Sequence, residues 1–328
     1  MVQKGENRKD SDQDLSEPGS CRLFRDVVCE EVSSADTVFL VRSERGRFRS
    51  TERRGKYSLI EMIGEGGMSE VWKAWDHKLE KRVALKFLKE REGVRNGEAS
   101  LLEMLTHPGI VKGYESGVLE GVPYISMEFI EGVPLSHLPG NHVSRVVKVL
   151  QNVSEVVHYS HTQGIVHYDL KPSNILIDKA DRITILDFGV ARRIDQKNDH
   201  LRKGYIFGTP PYLSPEMALK GARIVDPRSD IYALGVILFE VLTGYFPETG
   251  VFPSIGERNP QVDSKLEKII LCCLSRNPQD RYSSAGDLAH ALQEWWKGHR
   301  DLDHNTGRFC AASAGILALG MSVPLLGW

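Results

Sequence analysis

The pattern of apolar residues in this chain changes near Gly132, and that change constrains the fold more than any other feature. Before Gly132 one amphipathic helix is predicted over about residues 97–105, among strand-like runs at residues 57–63, 71–76, 82–88, 111–116 and 122–129. After Gly132 the apolar residues recur at helical spacing, over residues 143–162, 230–242, 265–274 and 284–297. The sequence therefore predicts an α+β fold with two lobes, a small sheet carrying one helix and a larger helical part, and a cleft between them.

Polar residues with a common chemistry flank a predicted β-hairpin. Short β-branched runs at residues 175–177 and 183–186 are separated by a turn-like segment. Because a hairpin returns the chain to its own starting end, Asn174 and Asp187 are expected side by side, with Asp169 upstream of them. An amide oxygen and a carboxylate suit Mg²⁺ held against phosphates, and a separate carboxylate can accept a proton.

A glycine-rich turn lies between the first two predicted strands, at residues 63–71. Its backbone amides could close over phosphates, although a purely structural hairpin turn would use the same residues. A dinucleotide-binding fold is excluded, because residues 71–75 continue as a strand where that fold needs a helix. Lys86 lies in the apolar run 82–88, where a lysine is costly unless it is paired, and Glu98 on the following helix is its expected partner.

These segments occur in a known order. Residues 64–71, 83–86, 167–174, 187–189 and 214–216 match the signature motifs of protein kinases. Over about residues 57–297 the chain resembles a eukaryotic-like (Hanks-type) Ser/Thr protein kinase of the bacterial kind. The resemblance implies a bilobal protein-kinase fold, with a small β-rich N-lobe carrying one regulatory helix and a larger α-helical C-lobe. It also implies ATP and Mg²⁺ as cofactors and proteins with Ser or Thr acceptors as substrates.

The resemblance assigns a role to each matching residue. Asp169 would accept the proton of the substrate hydroxyl, Lys171 would steady the transferring phosphoryl group, and Lys86 would hold the α- and β-phosphates. Asn174 and Asp187 would bind the magnesium ions. The nucleotide would contact Ile63, Gly64, Glu65, Gly66, Gly67, Met68, Ser69, Val71, Ala84, Lys86, Glu98, Met127, Glu128 and Ile130.

Other matching residues would be structural. His167, Phe188 and Leu102 would form a hydrophobic column between the lobes, Glu216 would pair with Arg281, and Asp230 would tie down the catalytic loop. The segment 208–210 is similar to that of Ser/Thr kinases rather than Tyr kinases.

The chain departs from the kinase pattern at Tyr168, where regulated kinases carry an arginine that pairs with a phosphorylated activation loop. The loop between Gly189 and Gly208 contains no Ser or Thr, only Tyr205. We therefore expect activity without activation-loop phosphorylation. Gly113 stands where a larger apolar residue usually completes the interlobe column, and the segments 86–98 and after residue 247 are short.

Both ends of the chain differ from the domain. Residues 1–56 are expected to be a largely disordered polar extension, with a lone strand at 37–41 and a basic stretch at 42–56 that is either a solvated linker or an anionic-membrane contact. No signal peptide opens the chain. Residues 298–308 would be a linker. Residues 309–328 carry no charge and predict a transmembrane helix that anchors the kinase domain on the cytoplasmic side, with a hydrophobic helix docked on the domain as the alternative.

Composition narrows the function further. The net charge of −2 gives no sign of a nucleic-acid binder, and five scattered cysteines indicate reduced thiols rather than a zinc site. The leading hypothesis is an active, Mg²⁺-dependent protein kinase. A pseudokinase or nucleotide-binding scaffold is the main alternative, and a small-molecule kinase is a third. The sequence leaves the oligomeric state open.

Overall fold

The computed structural model of the chain describes residues 53–66, 69–89, 97–194, 208–220, 226–247 and 254–299. The lone strand predicted at residues 37–41, the 300–308 part of the predicted linker, the predicted membrane span 309–328, and Tyr205 lie outside these residues. Within the described ranges, no helix is both long and apolar enough to cross a membrane.

The N-lobe is an antiparallel sheet of six strands in the order β1-β2-β3-β4-β6-β5. The strands are β1 (Arg53–Arg54), β2 (Tyr57–Glu65), β3 (Ser69–Asp76), β4 (Lys81–Leu88), β5 (Gly113–Leu119) and β6 (Val122–Glu128). Helix α1 (Gly97–Met104) lies between β4 and β5 in the chain. β3 alternates between buried and half-exposed residues, as expected of a strand with one covered face, whereas Val83–Phe87 of the central strand β4 is buried throughout.

Several strand bounds of the sheet differ from the predictions by one to three residues. β1 pairs with β2 and lies before residue 57, where the domain was predicted to start. This strand was not predicted, because its two residues are both arginines and show no alternation of apolar and polar residues. β5 begins at Gly113 rather than at residue 111, because the preceding residues pair with the other lobe. The backbone N–H of Val111 donates to the carbonyl of Ile185 at 3.0 Å, and Ile110 forms a parallel bridge with Ile185.

The C-lobe is built of helices around a buried central one. They are α2 (Val143–Thr162), α3 (Pro215–Lys220), α4 (Arg228–Thr243), α5 (Ile255–Arg258), α6 (Ser264–Cys273) and α7 (Ala285–His299). The prediction for α2 matches its bounds, and those for α4, α6 and α7 differ by one or two residues. α3 and α5 were not predicted, because neither is long enough for a helical period to show.

Short strands carry the residues at the cleft. They are β7 (Val133–Pro134), β8 (Ile165–Val166), β9 (Ile175–Ile177), β10 (Ile183–Ile185) and β11 (Arg192–Arg193). β9 and β10 form the predicted hairpin, and β8 pairs with β11. The chain has the predicted bilobal α+β fold. Its large hydrophobic core fills the C-lobe and extends to Leu102 of α1 and Met127 of β6, and a smaller core lies within the N-lobe sheet.

Candidate active site

A buried lysine joins the two lobes. Lys86 in β4 is 6% exposed, and its Nζ lies 2.8 Å and 3.0 Å from the two carboxylate oxygens of Glu98 in α1. This is the partner that was expected for a lysine in an apolar strand. Nζ also lies 2.6 Å from Oδ1 of Asp187, which follows the hairpin of the C-lobe.

The charges around Lys86 decide its protonation. Burial disfavours the charged ammonium, but the carboxylates of Glu98 and Asp187 outweigh it and raise the pKa of Lys86 above its usual value. Burial likewise opposes ionisation of Asp187, yet the charge of Lys86 and a hydrogen bond from the Gly189 N–H lower the pKa of that carboxyl. The cleft therefore holds a permanent cation beside a permanent anion at neutral pH.

The hairpin places Asn174 next to Asp187 as predicted. Ile175 is in register with Ile185, and the N–H of Leu186 donates to the carbonyl of Asn174 at 2.8 Å. The amide nitrogen of Asn174 donates to the carbonyl of Asp169 at 2.9 Å. Its amide oxygen is therefore the polar atom of this side chain that is left to meet a cation.

Asp169 lies in a small cluster of polar side chains. Its Oδ1 accepts a hydrogen bond from the Thr209 hydroxyl at 2.7 Å, and its Oδ2 lies 3.1 Å from Nζ of Lys171. Nζ of Lys171 also donates to the Thr209 hydroxyl at 2.9 Å. The segment 208–210 indicated the class of acceptor, but the contact between Thr209 and Asp169 was not predicted.

Asp230 anchors the backbone of His167 and Tyr168, the two residues before Asp169. This fully buried carboxylate accepts hydrogen bonds from the backbone N–H groups of His167 and Tyr168, each at 2.8 Å, and lies 2.8 Å from Nε2 of His161. The anchoring role expected for Asp230 agrees with these contacts, whereas the His161 contact was not predicted.

The expected roof of the nucleotide site is the β2–β3 turn. Gly64 pairs with Val71 and Glu65 with Glu70, and the N–H of Gly66 donates to the Ser69 carbonyl at 2.9 Å. Gly67 and Met68 lie outside the described residues.

The back wall of the cleft joins β4 and β6. Ala84 and Met127 are in register there, and both are buried. Ile63 packs on the large core from the sheet side. The N–H of Glu128 donates to the Lys112 carbonyl at 2.9 Å, and Ile130 follows in the segment between the lobes.

The hydrophobic column between the lobes accommodates the unusual glycine. The His167 and Phe188 rings lie 4.7 Å apart, and Phe188 and Leu102 are buried in the same core cluster. A Cβ on Gly113 would lie 3.3 Å from Cβ of Leu102. Leu102 therefore closely approaches the β5 backbone, and a larger residue at position 113 would push it away.

Comparison with known proteins follows the same lines. Residues 57–296 match the family described as protein kinase domain. Serine/threonine-protein kinase PknB of Mycobacterium tuberculosis is 36% identical over 267 residues, which cover 71% of this chain and 42% of PknB. Serine/threonine-protein kinase PrkC of Bacillus subtilis is 35% identical over 259 residues, which cover 71% of this chain and 39% of PrkC. The chain thus spans less than half the length of these relatives.

A solved structure shows the same fold. The crystal structure of the Mycobacterium tuberculosis PknI kinase domain superposes with a TM-score of 0.59 at 23% identity, covering 75% of this chain and 98% of the crystallised kinase-domain chain.

Proposed function

The chain belongs to the protein kinase domain family, and from that membership we propose that it transfers the γ-phosphoryl group of ATP to Ser or Thr hydroxyls of protein substrates. The observation that carries the proposal is the convergence of a charged Lys86–Asp187 pair and the Asp169–Lys171–Thr209 cluster at one cleft. One set suits the phosphates of a nucleotide and the other suits an acceptor hydroxyl.

Each of these residues has its own role in phosphoryl transfer. Lys86 holds the α- and β-phosphates, and Glu98 keeps its Nζ in place. Asp169 orients the acceptor hydroxyl and takes its proton, while Lys171 stabilises the negative charge of the transferring group. The Thr209 hydroxyl bridges Asp169 and Lys171, which fixes both side chains before a substrate arrives.

We infer that Asn174 and Asp187 hold Mg²⁺, because together they offer an amide oxygen and a carboxylate, the hard oxygen donors that this ion prefers. Bound there, the ion neutralises charge on the phosphates. The nucleotide contacts proposed for residues 63–69, Val71, Ala84, Met127, Glu128 and Ile130 follow from the same resemblance, supported by the position of the described ones around the cleft.

The test is transfer of labelled phosphate from ATP to a generic basic protein, with and without Mg²⁺. Asp187→Asn and Asp169→Asn should each reduce the rate by about 100-fold or more. Asp181→Asn is the matched control, since this exposed carboxylate lies in the β9–β10 turn and pairs with Arg145. ATP binding by the wild-type chain without any transfer would favour a scaffold and refute the proposal.

We also propose that activity does not require phosphorylation of the activation loop. Tyr168 supplies no positive charge for a phosphate, and the loop has no Ser or Thr. Protein treated with phosphatase, and checked by mass spectrometry, should transfer phosphate as fast as untreated protein. A large loss of activity after treatment would contradict this.

Finally, we propose that residues 309–328 anchor the protein in a membrane with the kinase domain in the cytoplasm. Support comes from the sequence alone, namely an uncharged stretch long enough to span the hydrocarbon core and preceded by Arg308.

A further inference from the structure

Tyr168 has an unusual backbone for its size. Its φ is +64°, in the left-handed region that bulky residues rarely adopt, and its side chain is almost completely buried. Strain of this kind persists only where the surrounding contacts hold the residue in place. Those contacts identify what Tyr168 is held against.

The Tyr168 ring connects several parts of the chain. It belongs to a small buried cluster separate from the main core, together with Val166 and Met217, and the half-buried Val190 and Leu213 pack against this cluster. Val166 lies in β8, Val190 follows Gly189, and Met217 lies in α3. The phenolic oxygen accepts a hydrogen bond from the backbone N–H of Asp226 at 3.0 Å, just ahead of α4.

The main chain of Tyr168 meets the same segment. Gly208 has a φ of +105°, and a Cβ there would lie 2.8 Å from the Tyr168 carbonyl oxygen, so only glycine permits this approach. The next residue, Thr209, donates to Asp169. Tyr168 therefore meets the segment 208–217 at both ends, through its backbone at Gly208 and through the buried cluster that it shares with Met217.

We propose that Tyr168 is a positioning residue that holds the segment 208–217 against the catalytic loop through neutral contacts. This rests on the proposed function, in which that segment receives the protein substrate beside Asp169. An arginine–phosphate pair holds a segment only while the phosphate is present. A buried ring and one hydrogen bond to a backbone amide are independent of any modification, so the acceptor side of the site stays assembled at all times.

The test uses Tyr168→Phe in the full-length chain, which keeps the ring and removes the hydrogen bond to Asp226. The matched control is Tyr159→Phe. The Tyr159 hydroxyl also accepts a backbone hydrogen bond, from Thr106 at 3.2 Å, but lies far along the chain from segment 208–217. Both variants lose one neutral hydrogen bond, so a general loss of stability should affect them alike.

The hydrogen bond to Asp226 fixes the ring in the cluster that contains Met217, so the segment 208–217 is held less firmly without it. Tyr168→Phe should therefore raise KM for a Ser/Thr peptide about threefold to tenfold, leave KM for ATP unchanged and speed amide hydrogen exchange within the segment 208–217. Tyr159→Phe should change neither peptide KM nor this exchange. Equal effects of the two variants on peptide KM and on exchange within the segment 208–217 would overturn the inference, because a merely structural tyrosine would lower the amount of active enzyme without changing KM.

The two proposals fail separately. A wild-type chain that transfers no phosphate refutes the kinase activity, and exchange within the segment 208–217 then decides the role of Tyr168. An active wild type whose Tyr168→Phe variant matches Tyr159→Phe refutes only the positioning role. Tyr168→Leu provides a second variant, since it keeps an apolar side chain but removes both ring and hydroxyl, and it should raise peptide KM at least as much as Tyr168→Phe.

Discussion

At the scale of single residues, the cleft depends on charges that stabilise one another in a buried setting. Lys86 is tolerated inside β4 because Glu98 and Asp187 surround its ammonium group. Removing one of these charged side chains leaves a buried charge without a partner. The resulting loss in the free energy of unfolding exceeds what the ion pair contributes relative to apolar residues in its place.

Lys86→Met should therefore lower both activity and stability. We expect kcat to fall by about 100-fold or more, since no cation remains for the phosphates. We expect the free energy of unfolding to fall by about 3–5 kcal/mol, because Glu98 stays buried without a partner. The double variant Lys86→Met/Glu98→Gln should recover much of the stability and none of the activity, as measured by urea denaturation and steady-state kinetics. Recovery of neither would contradict the charge argument.

A second charged cluster in the N-lobe sheet links β2 to β5 and β6. Glu115 in β5 accepts hydrogen bonds from the hydroxyls of Tyr57 at 2.8 Å and Tyr124 at 2.6 Å, and pairs with Nζ of Lys56 at 2.8 Å. Burial opposes ionisation, but the hydrogen bonds from Lys56, Tyr124 and Tyr57 prevail and lower the pKa of Glu115 to about 2.

This cluster should give the stability a distinct pH dependence. Because the folded pKa of Glu115 lies below its usual value of 4.5, the ionised carboxylate stabilises the fold above about pH 4.5, and that contribution is lost as the pH falls toward 2. Glu115→Gln should lower the urea midpoint at pH 7, and its difference from wild type should shrink between pH 4.5 and pH 2. Glu61→Gln, at an exposed pair with Lys73, serves as the control and should change little. A pH-independent difference would contradict the assignment.

At the scale of elements, the segment that carries α3 is fastened to the C-lobe by a buried ion pair. Arg281 is fully buried as a side chain and contacts both carboxylate oxygens of Glu216, at 2.8 Å and 2.7 Å. It also donates to the carbonyls of Ser275 and Arg228. One side chain thus joins α3, the start of α4 and the end of α6.

Arg281→Met should be strongly destabilising. Breaking a buried pair by removing one partner costs about 3–5 kcal/mol in the free energy of unfolding. Arg82→Met removes an exposed pair with Glu131 and should cost about 1 kcal/mol or less. Thermal and urea denaturation of both variants checks the difference, and similar losses in the two would show that the Arg281 pair behaves as a surface contact.

Some elements and contacts could be predicted from the sequence, and others could not. α2 was predicted to the residue because its apolar positions repeat over twenty residues. The start of β5 was wrong because Val111 bonds to Ile185 in the other lobe, a partner that periodicity cannot indicate. The Lys86–Glu98 pair was predictable, since a buried lysine requires a nearby acid. The Lys86–Asp187 and Thr209–Asp169 contacts were not, because they join residues 101 and 40 positions apart and depend on how the elements pack.

At the scale of the whole molecule, the membrane anchor proposed for residues 309–328 predicts where the protein is found in the cell. Leu317 lies near the middle of residues 309–328. A charge there costs about 2.5–3.5 kcal/mol in membrane insertion.

Full-length protein should accordingly appear in the membrane fraction, and a variant ending at Arg308 should not. Leu317→Lys should move the protein out of the membrane fraction, whereas Leu317→Val should leave it there. Fractionation followed by detection of the kinase domain measures this. Full-length protein that is already in the soluble fraction would refute the anchor.

The bridge between Ile110 and Ile185 constrains any opening of the cleft. It fastens the chain just ahead of β5 to the C-lobe, so we expect the sheet to turn about this point. Displacement grows with distance from a pivot, as along a lever. The β2–β3 turn should therefore travel furthest when nucleotide enters or leaves, while β5 stays nearly still. Small changes near Ile110 should alter the movement of the β2–β3 turn without changing the residues proposed to transfer the phosphoryl group.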